Sequence, residues 1–163
     1  MNVVEKIYER HAITYVDEQH TLSESEEQDL LETIIENDGG FDSEHWHFVI
    51  LNKSELNGRI QNNFGDDQLY MLNTSFFILL TMELKAWQKE PKRYWMNAHK
   101  IMQSLMFTAE DFGYRSCSVA EFDIEGVAER MNLSEDYVIG PMAAIGKSRN
   151  MTIKHSTSQE FRR

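Results

Sequence analysis

The sequence contains a single cysteine, Cys117, among its 163 residues. One cysteine excludes an intramolecular disulfide, and it excludes a zinc site built from several cysteine ligands. The lack of disulfides fits the reducing cytosol. A lone cysteine near Arg115 is either a reactive thiol or a small buried hydrophobic residue, and we expect the second role for Cys117.

Basic residues are also few: 16 Lys and Arg stand against 27 Asp and Glu, and the formal net charge is -11. Nucleic acids and anionic membranes attract basic patches, so this balance argues against both as partners. The longest apolar run, Phe76 to Leu80, is far too short to span a membrane, and no charged-then-apolar leader opens the chain. We therefore expect a soluble cytoplasmic protein whose partners are small molecules or proteins.

The apolar content that is present suffices for one core. Hydrophobic residues make up 41% of the chain and aromatic residues 11%, which predicts a single domain over residues 1 to 163. Helix and strand patterns mix without strict alternation, and neither a repeat nor a low-complexity linker divides them. The sequence therefore predicts an α+β fold.

Helix starts are marked by capping residues. Ser23 and Glu26 form a capping box in SESEEQDLLETIIEND, and acidic residues fill the first turn that follows. Asp123 is placed to cap a helix over IEGVAERMN. We also expect short helices over residues 2 to 10 and near residues 53 to 63.

A long helix is predicted from near Pro91 to Gly113. Its apolar residues line more than one stripe: Trp95, Ile101, Met102, Leu105, Met106, Ala109 and Phe112. So wide an apolar surface indicates burial from two sides, and a second subunit is one source of the second side.

Three apolar runs are typical of strands. HFVIL is rich in β-branched and aromatic residues, and YVIGPMAAIG predicts a last strand. SFFILL is almost continuously apolar, which predicts a central strand buried on both faces.

The stretch NDGGFDSEHWHFVIL places acids and histidines directly in front of a predicted strand. His45 and His47 share one face of a strand, which suits a metal site completed by Asp42 and Glu44. Alternatively, Asp42 and Glu44 form an acid/base pair. A solvated polar loop explains the same residues, and we expect this third interpretation, with no metal bound.

Five stretches carry a further pattern: ERHAITYVD, GGFDSEHWHFVI, DDQLYMLNTSFFILL, AEDFGYRSCSVAEFD and AAIGKSR. The first resembles an N-terminal flavin-phosphate motif, and the second resembles a Ser-Ser-x-Asn-x-Gln-Pro-Trp loop before a strand. The third takes the place of an Asn-Gln pair before a central strand. The fourth resembles a flavin-facing turn, Ala-x-x-x-Gly-x-x-Ser, and the fifth a closing strand with Lys-x-Arg beyond it. Taken in order over most of the chain, they resemble the nitroreductase family of flavin mononucleotide (FMN) enzymes.

The resemblance implies a mixed central β-sheet flanked by helices in an intertwined homodimer. Two flavin sites would then be built from both subunits. A C-terminal tail from about residue 150 would reach the partner subunit.

The resemblance also implies cofactor-binding roles for particular residues. Those expected to hold the phosphate are Arg10, His11, Lys147 and Arg149, with Lys154 as an alternative to Lys147. Those whose backbone would face the central flavin ring are Val119, Ala120 and Glu121. Those expected to line the ribityl and pyrimidine side are Asp42, Glu44 and Asp67. Ala12 and Thr14 occupy the positions of a hydroxyl residue and a cation in the family's first motif.

Three of these residues, Asp42, Glu44 and Asp67, stand where the family has amides. An ionised carboxylate accepts hydrogen bonds but donates none, so these changes remove donors and add negative charge near the flavin. We therefore expect a lowered flavin potential that depends on pH.

The implied activity is that of an FMN-dependent NAD(P)H oxidoreductase, which passes a hydride through the flavin to a small flat acceptor such as a nitroaromatic or a quinone. No acid/base catalyst is assigned. The amide-to-acid changes favour an alternative, a degenerate member that keeps the dimeric fold, lacks FMN and acts as a binding or regulatory protein.

Overall fold

A computed structural model of the chain describes residues 23–37, 45–52, 74–119 and 122–147. In chain order, these residues form α1 (Glu24–Asn37), β1 (Trp46–Asn52), β2 (Phe76–Glu83), α2 (Leu84–Lys89), α3 (Pro91–Asp111), β3 (Tyr114–Val119), α4 (Ile124–Met131) and β4 (Tyr137–Lys147). The predicted α+β class is confirmed. The helices expected over residues 2 to 10 and 53 to 63 lie outside the described residues.

The four described strands form one sheet in the order β1-β2-β4-β3. All three neighbouring pairs are antiparallel. The mixed sheet that the family resemblance implies is therefore not seen among these four strands, where no pair is parallel. Because β2 lies between β1 and β4, seven of its eight residues are buried, which confirms the prediction of a central strand buried on both faces.

Alternate residues of β2 enter two separate cores, as the period-2 geometry of a strand requires. Ile78 and Leu80 belong to a core on the α3 side of the sheet, which also contains Leu30 of α1 and Leu105 of α3. Phe77 and Leu79 belong to a second core on the α4 side, which contains Val127 of α4. We call these the α3-side core and the α4-side core. The continuous apolar run of β2 is needed because both of its faces are covered.

Helix α3 carries the apolar excess noted in the sequence, and most of that excess is buried within the chain. Its buried residues are Tyr94, Ala98, Ile101, Met102, Leu105, Met106 and Ala109. The helix packs against both the sheet and α1, so the expected burial from two sides is supplied largely by one chain. Trp95 remains 37% exposed and Met96 69% exposed.

The predicted helix ends are confirmed by their hydrogen bonds. The backbone N–H of Ser23 donates to Oε2 of Glu26 at 3.1 Å, and the N–H of Glu26 donates to Oγ of Ser23 at 3.3 Å. The backbone N–H of Gly126 donates to the side chain of Asp123 at 3.0 Å. Gly113 follows α3 at φ 78°, in the left-handed region that glycine adopts without strain.

A β-bulge interrupts β4 at Gly140 and Pro141. Leu79 pairs with Met142 while Thr81 pairs with Ile139, so one residue of β2 faces two residues of β4. Proline lacks an N–H, and a bulge is one of the few places where a strand tolerates it. A Cβ on Gly140 would lie 2.9 Å from the carbonyl oxygen of Leu80, so glycine lets the two strands approach here.

Two elements were not predicted: the short helix α2 and the strand β3. The sequence YRSCSV is rich in small polar residues and lacks a strong apolar pattern. Its strand conformation follows from pairing with β4 along its whole length, which is a tertiary effect.

Among the described helices, none is both long and apolar enough to cross a bilayer.

Candidate flavin site

Only two of the twelve predicted site residues, Val119 and Lys147, lie in the described part of the chain. The other ten lie outside it: Arg10, His11, Ala12, Thr14, Asp42, Glu44, Asp67, Ala120, Glu121 and Arg149. Lys154, the alternative to Lys147, also lies outside it. The structure therefore describes only the elements that lead into and out of the predicted site.

Val119 is the last residue of β3 and is only 3% exposed. Its side chain packs in the α4-side core, with Val127 and the partly buried Phe122. Strand β3 pairs only with β4 among the described strands, so one backbone edge of β3 is not used by them. The N–H groups along such an edge can donate hydrogen bonds to a bound ring.

Lys147 ends β4 and is held by two neighbours in the same chain. Its Nζ lies 3.8 Å from Oε1 of Glu26, and 4.7 Å from the centroid of the Tyr114 ring. The side chain of Lys147 remains 40% exposed. Lys147 is therefore a half-exposed cation that already has an anionic partner and an aromatic one.

Glu26 connects these groups to the start of α1. Its Oε1 accepts a 3.0 Å hydrogen bond from the hydroxyl of Tyr114, and its Oε2 accepts a 2.8 Å bond from Oγ of Ser23. Burial, the hydrogen bond to Glu26 and the negative charge of Glu26 raise the pKa of Tyr114 well above its usual range. Sequence reasoning missed the contacts among Glu26, Tyr114 and Lys147, because these residues are far apart along the chain.

Val119 and Lys147 lie on opposite faces of the sheet and far apart along it. Lys147 pairs with Tyr114, whereas Val119 pairs with Met142. Five residues of strand separate the two pairs, or about 17 Å. Directly paired residues share a face, so Lys147 lies with Tyr114 on the α3 side, while Val119 lies on the α4 side.

The opposite end of the sheet holds the start of β1. Trp46 pairs with Met82, and Met82 pairs with Val138. Val138 is nine residues before Lys147 along β4, a separation of about 30 Å. Glu44 precedes Trp46 by only two residues, so the chain enters β1 at the end of the sheet that is far from Lys147.

The histidines considered as metal ligands make other contacts. Nδ1 of His45 lies 3.1 Å from Oε2 of Glu83, and the rings of His47 and Tyr137 are nearly perpendicular, with centroids 5.2 Å apart. Within the described ranges, no three His, Cys, Asp or Glu side chains are placed to hold a metal ion. Asp42 and Glu44, which would have completed that site, lie outside these ranges.

A polar cleft of about 230 Å³ lies near these histidines, at the end of β2. Glu83, Lys85, Asp136 and Tyr137 line it. Sequence reasoning did not find this cleft, because it forms where the end of β2 meets the start of β4.

Comparison with known proteins identifies the family. The family model described as the nitroreductase family matches residues 68–147. Protein DrgA of Synechocystis sp. is 33% identical over an alignment of 178 positions, gaps included, that covers 90% of this chain and 84% of that protein. The chain belongs to the nitroreductase family.

Solved structures of nitroreductase family proteins have the same fold as this chain. A protein from Exiguobacterium sibiricum 255-15, assigned as a nitroreductase and solved in complex with FMN, superposes with a TM-score of 0.73 at 16% identity, covering 91% of this chain and 89% of that one. A protein from Staphylococcus epidermidis, assigned as an NAD(P)H:FMN oxidoreductase, has a TM-score of 0.73 at 17% identity, covering 90% of this chain and 87% of that one. These similarities show the fold.

The two described site residues are compatible with FMN. Lys147 supplies a half-exposed cation of the kind that a phosphate attracts. Val119 ends β3, and one backbone edge of β3 pairs with no other described strand. An N–H on that edge suits a flavin ring nitrogen that accepts a hydrogen bond.

Proposed function

We propose that this protein is an FMN-dependent oxidoreductase that works as a homodimer. Membership of the nitroreductase family supports the flavin chemistry, and the fold shared with an FMN complex supports FMN as the cofactor. Bound FMN would accept a hydride and return the electrons to an acceptor stacked on the same ring. The single cysteine supports a location in the reducing cytoplasm.

The protein's own residues would bind and orient the cofactor. We assign the phosphate to Arg10, His11, Lys147 and Arg149, with Lys154 as the alternative to Lys147. We assign the backbone of Val119, Ala120 and Glu121 to the central ring nitrogen. Asp42, Glu44 and Asp67 would line the ribityl and pyrimidine side, where ionised acids disfavour the anionic reduced ring.

The observation that carries the dimeric arrangement is the position of the strand ends. Trp46, which follows Glu44 by two residues in the sequence, and Lys147 lie at opposite ends of the sheet, about 30 Å apart. One FMN is too short to reach both ends of one chain. A second subunit resolves this, since each site then takes the phosphate residues of one chain and the loop with Asp42 and Glu44 of the other.

We further propose NAD(P)H as the hydride donor and small flat compounds, such as nitroaromatics or quinones, as acceptors. The similarity to a protein assigned as an NAD(P)H:FMN oxidoreductase supports the donor. A planar acceptor is expected because electrons leave the flavin through stacked contact.

Purified protein tests this proposal directly. We expect yellow protein, or colourless protein that binds one FMN per chain on reconstitution, and bleaching of the flavin absorbance by NADH or NADPH without oxygen. We also expect the affinity for FMN to fall when the protein is diluted below the dissociation constant of its dimer. Protein that stays colourless after reconstitution would instead support a member of the family that binds no flavin.

A redox titration of the reconstituted protein tests the role of the acids. We expect a flavin potential below that of free FMN, with a difference that shrinks at low pH as the carboxylates are protonated. A potential equal to that of free FMN at every pH would show that Asp42, Glu44 and Asp67 do not act on the ring.

A further inference from the structure

Two anions compete for the single ammonium group of Lys147: the carboxylate of Glu26 and, under the proposed function, the phosphate of FMN. In the chain described here, Nζ lies 3.8 Å from Glu26 and 4.7 Å from the Tyr114 ring centroid. Under the proposed function, the same group also binds the phosphate of FMN. A phosphate that draws Nζ toward itself must weaken the contact with Glu26, because both anions compete for one charge.

Glu26 is the fixed partner in this competition. Its carboxylate accepts hydrogen bonds from Tyr114 and Ser23, and it caps α1 through the backbone of Ser23. Lys147 is instead a long side chain at the end of a strand and is 40% exposed. The lysine is therefore the group that would move, while Glu26 keeps its other bonds.

Resting on the proposed function, we propose that Glu26 is an inhibitory residue of the cofactor site: it competes with the FMN phosphate for Lys147. The contact stabilises the protein without cofactor and weakens its affinity for FMN. FMN binding then weakens the contact between α1 and the end of β4, and that contact weakens FMN binding by the same factor.

Glu26→Gln tests the proposal, because it removes the charge of the side chain and keeps its length. Glutamine has one side-chain oxygen, so it accepts either from Tyr114 or from Ser23, whereas Oε1 and Oε2 of Glu26 accept from both. The thermal midpoint reports the loss of the other bond, and the affinity for FMN reports the loss of the charge. The matched control is Glu27→Gln, which removes the same charge one residue away, at a side chain for which no ion pair is seen among the described residues. The control accounts for the general repulsion between an acidic helix and a phosphate.

The measurements are the dissociation constant for FMN, from the change in flavin fluorescence, and the thermal midpoint of the protein without FMN. We expect Glu26→Gln to tighten FMN by up to about fivefold relative to Glu27→Gln, the range of an exposed ion pair. The same variant should have a lower midpoint without FMN. A purely structural role for Glu26 predicts the lower midpoint but no tighter binding.

The double variant with Lys147→Gln completes the test. Once Lys147 is neutral, Glu26→Gln should bind FMN no more tightly than Glu27→Gln does in the same background. If Glu26→Gln binds FMN no more tightly than its control, or if the gain persists without the lysine, the competition is refuted. If neither the parent protein nor any variant binds FMN, the proposed function fails as well. If the parent binds FMN and Glu26→Gln does not change the affinity, only the competition fails.

Discussion

The hydroxyl of Tyr114 donates a 3.0 Å hydrogen bond to Glu26, a residue 88 positions earlier in the chain. The bond joins the first turn of α1 to the first residue of β3. The rings of Tyr114 and Phe76 are also nearly perpendicular, with centroids 5.7 Å apart. One side chain thus connects a helix start, the central strand and the edge of the sheet.

Tyr114→Phe should lower the free energy of unfolding by about 1–2 kcal/mol, because it removes a hydrogen bond to a charged acceptor. Chemical denaturation at neutral pH measures the change. Tyr137→Phe is the control, since no hydrogen bond of the Tyr137 hydroxyl is seen among the described residues. Equal stability of the two variants would show that the bond to Glu26 contributes nothing.

The same tyrosine predicts a dependence of stability on alkaline pH. Its folded pKa is raised above the unfolded value, so the neutral form is favoured by folding. That contribution is complete below about pH 10, the ordinary tyrosine pKa, and is lost as the pH rises through the folded pKa. The stability deficit of Tyr114→Phe should therefore be constant from neutral pH to about pH 9 and shrink above about pH 10. A deficit that grows with alkaline pH would contradict this sign.

Gly140→Ala should destabilise the protein by about 1–3 kcal/mol, as overpacking does elsewhere. The new Cβ would lie 2.9 Å from the carbonyl oxygen of Leu80, and a backbone atom cannot turn away as a side chain can. Gly126→Ala is the control, since it adds the same methyl group to α4, where alanine is favoured. Thermal unfolding of both variants compares them, and an unchanged Gly140→Ala midpoint would mean that β4 shifts freely at its bulge.

Asp123→Ala should cost about 1 kcal/mol, because the N–H of Gly126 loses its acceptor. Asp123→Asn keeps a side-chain oxygen and should cost much less. Denaturant unfolding distinguishes the two. Since Asp123 lies two residues after Glu121 in the sequence, the alanine variant should also weaken FMN binding under the proposed function.

Leu105→Ala should cost about 2–5 kcal/mol, because Leu105 is fully buried in the α3-side core. Gln103→Ala, on the exposed face of the same helix, should change stability by less than about 0.5 kcal/mol. Comparable losses at both positions, measured by denaturation, would mean that α3 packs differently from the arrangement described here.

Local sequence was sufficient for elements whose signals are local. The Ser23 and Glu26 capping box, the Asp123 cap and the Gly113 helix end all depend on hydrogen bonds or dihedral angles within a few residues. The continuous apolar run of β2 predicted burial on both faces, because such a run suits no half-exposed strand. Ordered motifs across the chain predicted the family, which the comparisons confirm.

The tertiary structure decided what depends on residues distant in sequence. Strand β3 has a weak intrinsic pattern and is a strand because β4 pairs with it. Lys147 was predicted only as a phosphate ligand, whereas the fold places it beside Glu26 and Tyr114. Composition and short-range pattern determined the elements and the class of protein. Which charges meet was decided by how the sheet brings strand ends together, since a contact between distant residues leaves no local signal.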